Sequence, residues 1–265
     1  MAKPVPIYTV ENTNFAFQLL WSVAIFWKER GAGDAWLPEL KTQCEAAGLR
    51  ILQHRLTENG CSLFLVSTRP QTTGSEVIRG IKGRLQALVR KTRPNVLRRN
   101  YELHSIGSTT RDKTEAYVAR QLDHHDIDPE QIRSTKLDDL QFINPDVDLG
   151  KLRFTSHGRF VCNLHIGFRF TADTIPLSAN ALGKVRSVVR RTADRHGFFL
   201  SRFGLLEDHV HLVIGIATTD SPAEVAVSFM NNIAWVFKMH PVLWKSCYIG
   251  TIGEFNLGAV RENET

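Results

Sequence analysis

The chain is poor in the features that mark an oxidising compartment or a membrane. Its four cysteines, Cys44, Cys61, Cys162 and Cys247, include no Cys-x-x-Cys pair. That spacing indicates neither a zinc knuckle nor a disulfide framework, and reduced cytoplasmic thiols are expected. No basic leader precedes an apolar core at the start, and no uncharged run reaches the roughly 20 residues a membrane helix needs, so no membrane partner is expected. What the chain does have is length for two compact domains of roughly 110 to 130 residues each. It also has a formal net charge of +6, which weakly favours polyanions.

The charge is unevenly placed. Arg79, Lys82, Arg84, Arg90 and Lys91, continuing to Arg93, Arg98 and Arg99, follow one predicted helix and its exit. Lys184, Arg186, Arg190, Arg191 and Arg195 decorate another. Such stripes suit phosphate contacts, and each is equally well a solvated helix face. Between residues 123 and 150 the sign reverses: eight Asp and Glu side chains, with Pro129 and Pro145, read as an acidic connector.

Near the end, Leu205-Leu206-Glu207-Asp208-His209-Val210-His211-Leu212-Val213-Ile214 is an apolar run interrupted by two histidines one residue apart. Side chains alternate along a strand, so His209 and His211 share a face. Two imidazoles there are either metal ligands or ordinary half-buried strand residues, with Asp208 placed to tune His209.

This stretch resembles the histidine-hydrophobe-histidine (HUH) strand of single-tyrosine transposases of the insertion-sequence and REP-associated type. In that family a tyrosine nucleophile sits on a later helix, in a Tyr-x-x-x-Gln arrangement. Here Cys247-Tyr248-Ile249-Gly250-Thr251 resembles the strand before that helix, and no further tyrosine follows Tyr248. The second half therefore lacks a nucleophile of its own.

An internal repeat supplies one. Sliding the chain by about 148 residues, the distance from Cys61 to His209, matches its halves. Thr73-x-x-Glu76 and Ser221-x-x-Glu224 both read as capping boxes, the second with Pro222 at the first helical position. Apolar residues then coincide at helical spacing: Val77, Ile81, Leu85, Leu88 and Val89 against Val225, Phe229, Ile233, Val236 and Phe237. Phe15 to Trp27 reads as a first strand with Phe160 to Phe170 as its counterpart, and Leu37–Ala47 and Asn180–His196 as the first helices. In this register Cys61 and Leu63 stand where His209 and His211 stand. Conversely, Tyr101 to Gly107 resembles the family's pre-tyrosine strand, and Glu115 to Gln121 its nucleophile helix, with Tyr117 and Gln121 in place.

The resemblance implies an α+β protein of two tandem ferredoxin-like, HUH-type domains, each a small antiparallel sheet with helices packed on one face. Residues 1–122 form the first, 123–150 the connector and 151–265 the second. Family members act as homodimers in which one subunit's tyrosine helix completes the other's histidine site. The chain is then a pseudo-dimer in itself, with further homodimerisation open. Tyr117 is the implied nucleophile, and His209, His211 and Gln121 the implied ligands of Mg²⁺ or Mn²⁺. The implied reaction is nicking and joining of hairpin-containing single-stranded DNA through a 5′-phosphotyrosine. Phe198, Phe199, Trp235 and Trp244 are candidate base-stacking residues, more often core, and His124 and His125 follow the tyrosine helix. Two alternatives remain: a domesticated, non-catalytic DNA-binding descendant, and a metal phosphodiesterase that uses water.

Overall fold

Two extended chain segments change partners halfway, and this sets the architecture. The computed structural model describes residues 5–29, 33–58, 60–90, 92–120, 140–171, 179–206 and 208–254. It is an α+β structure with two six-stranded mixed sheets and, among the described residues, five helices.

In the first half, β2 (Leu20–Trp27), α1 (Leu37–Ala46), β3 (Leu49–Leu56), β4 (Cys61–Thr68), α2 (Gly74–Val89) and β5 (Leu97–Ile106) follow in order. The second half runs likewise through β9 (Asn163–Phe170), α4 (Ala179–His196), β10 (Phe199–Leu205), β11 (His209–Gly215), α5 (Pro222–Val236) and β12 (Leu243–Thr251). The strands lie side by side as β3-β4-β2-β5 and β10-β11-β9-β12, all neighbours antiparallel. Both halves therefore have one strand order. Cys61 pairs with Phe26 and Leu63 with Ala24, as His209 pairs with Arg169 and His211 with Gly167.

Each four-stranded unit is extended by the other half. β1 (Asn14–Gln18) lies parallel to β12, while β8 (Gly158–Val161) lies parallel to β5 and carries β7 (Arg153–Phe154) outside it. The expected strand Phe15 to Trp27 is thus two strands, β1 and β2, and Phe160 to Phe170 likewise divides into β8 and β9. The backbone stays extended, but its hydrogen bonds pass from one sheet to the other at Leu19 and Cys162. The sheets consequently do not follow the boundaries 1–122 and 151–265. The connector also takes part, its end forming β6 (Gln141–Ile143) at the edge of β10; residues 121–139 lie outside the described residues.

Equivalent residues tie the halves together in reciprocal pairs. The Ser75 N–H donates to the Thr218 carbonyl (2.7 Å), and the Ala223 N–H to the Pro70 carbonyl (2.9 Å). The Leu20 N–H donates to Thr251 Oγ1 and the Asn163 N–H to Ser105 Oγ, both at 2.9 Å. The same hydroxyls donate onward, Thr251 to the Ile106 carbonyl and Ser105 to the Ile252 carbonyl.

Local chemistry explains the helices. Thr73 caps α2 and Glu76 returns the bond, a complete capping box; Val77, Ile81, Leu85 and Val89 then recur at four-residue spacing and are buried. Ser221 caps α5 by accepting from the Glu224 N–H, but the Glu224 carboxylate accepts only the Ser221 hydroxyl and not its N–H, so the expected box is half made. Gly48 and Gly197 turn α1 and α4 into the following strands at φ of +78° and +70°, a region favouring glycine. One hydrophobic core cluster runs through both halves, with Trp21, Phe64, Phe168 and Phe229 fully buried. No helix of the described residues is long and apolar enough to cross a membrane.

Candidate active site

Strand alternation places His209, His211 and Val213 of β11 on one face, beside Arg169, Gly167 and His165 of β9 and then Tyr248 and Gly250 of β12. On that face three imidazoles meet. His165 Nε2 and His211 Nδ1 are 2.7 Å apart, and their rings stack at 4.9 Å between centroids. His209 and His211 are also 4.9 Å apart, nearly perpendicular. His209 Nδ1 bonds the Asp208 carboxylate at 2.5 Å. Burial would raise the Asp208 carboxyl, but its bond and charge interaction with His209, helped by Arg169, hold it below its ordinary value. Burial pushes His165 down to about 4, so it is neutral at physiological pH.

The tyrosine helix comes from the other half. α3 (Arg111–Ala119) is capped by Thr110, whose hydroxyl accepts from the Lys113 N–H, and it lies against β10, β11 and β6. Thr114 and Val118, four apart, are its buried residues, and Val118 packs with Leu149, Val213 and Ile252. Glu115 accepts the Ser201 hydroxyl, with Arg202 Nη1 at 3.9 Å, and Arg111 reaches Asp148 at 3.6 Å. This seating leaves Tyr117 44% exposed, its ring centroid 5.9 Å from that of His211 and 6.4 Å from that of His165. The structure thus brings Tyr117, His209 and His211 together. Gln121 lies outside the described residues.

Tyr248 is a strand residue, as expected, yet its ring stands 5.7 Å from His165 and so borders the same cluster. It folds over Gly250, where a Cβ would come within 2.4 Å of its hydroxyl. Burial raises its phenol above the ordinary value. Sequence reasoning missed His165 and this role of Tyr248, because only the lateral order of β11, β9 and β12 brings them to His211.

Among the described residues, no group of three His, Cys, Asp or Glu side chains could hold a metal ion. His209 and His211 fit two positions of such a site. Each engages a protein partner through Nδ1, so each would ligate through Nε2, and the Asp208–His209 bond is the outer support that metal-binding imidazoles characteristically have.

The equivalent face of the first sheet is chemically different. Ser22, Cys61 and Leu63 occupy the positions of His165, His209 and His211, and Cys61 and Leu63 are fully buried with Ala24. Glu102, only 2% exposed, pairs with Arg159 of β8. Burial, reinforced by Arg159, lowers His104 to about 4.

The basic candidates divide by surroundings. Arg79, Arg90 and Arg191 are exposed. The Lys82 ammonium donates to the Arg99 carbonyl and Arg84 to the Gly80 carbonyl. Arg186 and Arg190 lie over the ring of Phe142, at 5.9 and 4.6 Å. Arg191 and Arg195 line a groove of about 630 Å³ with Trp235, which is 57% exposed. Trp244 is 51% exposed, whereas Phe199 lies under Arg153 and Phe198 packs on Phe229. Lys91, His124 and His125 lie outside the described residues. No protein-family model matches the chain, and no curated protein matches it.

Proposed function

We propose that this chain nicks and rejoins single-stranded DNA, probing one strand at a composite site to which both halves contribute. The observation that carries the proposal is the approach of Tyr117, on a helix of the first half, to His211, on a strand of the second. Two further observations support it. The strand order of each half matches that of a ferredoxin-like unit, which supports reading the chain as two tandem HUH-type domains. The reciprocal bonds between equivalent residues support reading it as a pseudo-dimer within one chain.

The chemistry is a transesterification. Tyr117 Oη attacks phosphorus, the P–O3′ bond breaks, the phenolic proton passes to solvent and the departing 3′ oxygen gains one. The product is a 5′-phosphotyrosine, and a 3′-OH reverses the step and rejoins the strand. A phenol is mostly protonated at neutral pH and needs activation. His209 and His211, with Gln121, would hold Mg²⁺ or Mn²⁺, whose contribution when bound is to polarise the phosphate and stabilise charge in the transition state. The exposed Arg79, Arg90 and Arg191 would meet the backbone of a hairpin-containing strand.

One tyrosine per composite site fits site-specific nicking and joining better than autonomous transposition, which exchanges two strands. Mixing the protein with hairpin-flanked single-stranded DNA and Mn²⁺ tests the proposal. A covalent adduct that survives denaturation and disappears in Tyr117→Phe is expected. DNA binding without any adduct would instead identify a binding protein that keeps the fold, and cleavage without an adduct a phosphodiesterase.

A further inference from the structure

A neutral imidazole has one N–H and one acceptor nitrogen, so a bond between two imidazoles fixes both tautomers together. His165 and His211 share such a bond at 2.7 Å, through Nε2 of the first and Nδ1 of the second. With both imidazoles neutral, two arrangements are open. Either His211 donates Nδ1–H and keeps its lone pair on Nε2, or His165 donates and His211 carries its proton on Nε2, which cannot then be a ligand.

We infer that His165 is a positioning residue that accepts the Nδ1–H of His211, fixing the ring and the tautomer that presents the Nε2 lone pair beside His209. The inference rests on the proposed role of His211, and three features of the face support it. His209 already shows the same arrangement, its Nδ1 bonded to the Asp208 carboxylate, which can only accept. The two neighbouring imidazoles then present the same atom.

The strand geometry is the second feature. His165 sits one pleat along β9 from Gly167, the residue directly opposite His211. A Cβ at Gly167 would lie 3.6 Å from Cε1 and 3.7 Å from Nδ1 of His211. The Nδ1–Cε1 edge of His211 therefore faces β9, on the side from which His165 reaches it. The third feature is containment: the rings of Tyr117 and Tyr248 stand at 6.4 and 5.7 Å from that of His165. His165 is thus flanked by both tyrosine rings and stacked on His211, in position to support it.

Long-range ¹H–¹⁵N spectra of the imidazoles in the full chain without metal read the tautomer directly, with His211 assigned by comparison with His211→Gln. The wild type should show His211 protonated on Nδ1. His165→Leu should lose that preference, and His165→Gln, whose amide oxygen can accept, should restore it. Mn²⁺ affinity, followed from the spectrum of free Mn²⁺, should fall by about 10- to 100-fold in His165→Leu and recover in His165→Gln.

An Nε2-protonated His211 in the wild type overturns the inference, and so does unchanged Mn²⁺ affinity in a folded His165→Leu. The wild-type spectrum decides even where the leucine variant fails to fold. If the expected tautomer is found in a protein that never forms an adduct, the nicking proposal falls and this inference stands. An adduct formed by a protein with the opposite tautomer does the reverse.

Discussion

A nucleophilic tyrosine must present its hydroxyl to a phosphate, and the two tyrosines of the cluster differ in this respect. Exposure hardly separates them, at 44% for Tyr117 and 39% for Tyr248, but the Tyr248 hydroxyl is folded over Gly250 and burial disfavours its phenolate. Tyr248→Phe should therefore retain adduct formation within about 3-fold of wild type, roughly 0.7 kcal/mol of barrier. A loss as complete as that of Tyr117→Phe in single-turnover gels would contradict this. His104 supplies a separate test, through stability. Its folded value of about 4 lies below the unfolded 6.5, so the unfolded state takes up the proton first. Stability from this group is therefore intact above pH 6.5 and falls by about 1.4 kcal/mol per pH unit towards pH 4. Urea midpoints measured across that window should fall less steeply in a folded His104→Gln protein. At this scale the sequence was informative wherever two residues shared a short period. His209 and His211 show strand alternation, and Tyr117 and Gln121 the four-residue spacing of one helix face, but a lone His165 has no local partner to betray it.

At the scale of elements, α3 is nine residues long and too short to persist without tertiary contacts. Thr110 caps its start, and Val118 and Glu115 on its inner face hold it to the second sheet. Thr110→Ala should cost about 1 kcal/mol of helix stability. Glu115→Ala removes the acceptor of the Ser201 hydroxyl beside Arg202, and should lower adduct yield about 10-fold while leaving the far-UV spectrum unchanged. An undiminished yield would show that Tyr117 needs no such seating. The capping residues and apolar periodicities of α2 and α5 were legible because they are local. The division of Phe15–Trp27 into β1 and β2 was not, because the residues remain good strand formers throughout and only their partners change. The half-made cap at Ser221 was equally hidden, since the same Ser/Thr-x-x-Glu pattern makes the complete box at Thr73.

At the scale of the whole molecule, neither half is complete. Residues 1–122 alone would leave β5 without β8 and expose an unpaired strand edge, while residues 151–265 would lack β1, β6 and α3. Unpaired edges invite aggregation. Each half expressed alone should be aggregated or unfolded, and co-expressed halves should associate into a soluble pair on size exclusion; two independently folded monomers would contradict the strand exchange. The repeat was legible from about 148 residues of offset between Cys61 and His209, but the exchange of edge strands was not, because it depends on three-dimensional closure. The central claim is that a tyrosine from one half works at histidines from the other. Proteolysis of the DNA adduct followed by mass spectrometry tests it most directly. The nucleotide mass should lie on the peptide containing Tyr117 and vanish in His209→Ala and His211→Ala, whereas attachment at Tyr248, or persistence in both histidine variants, would contradict the claim.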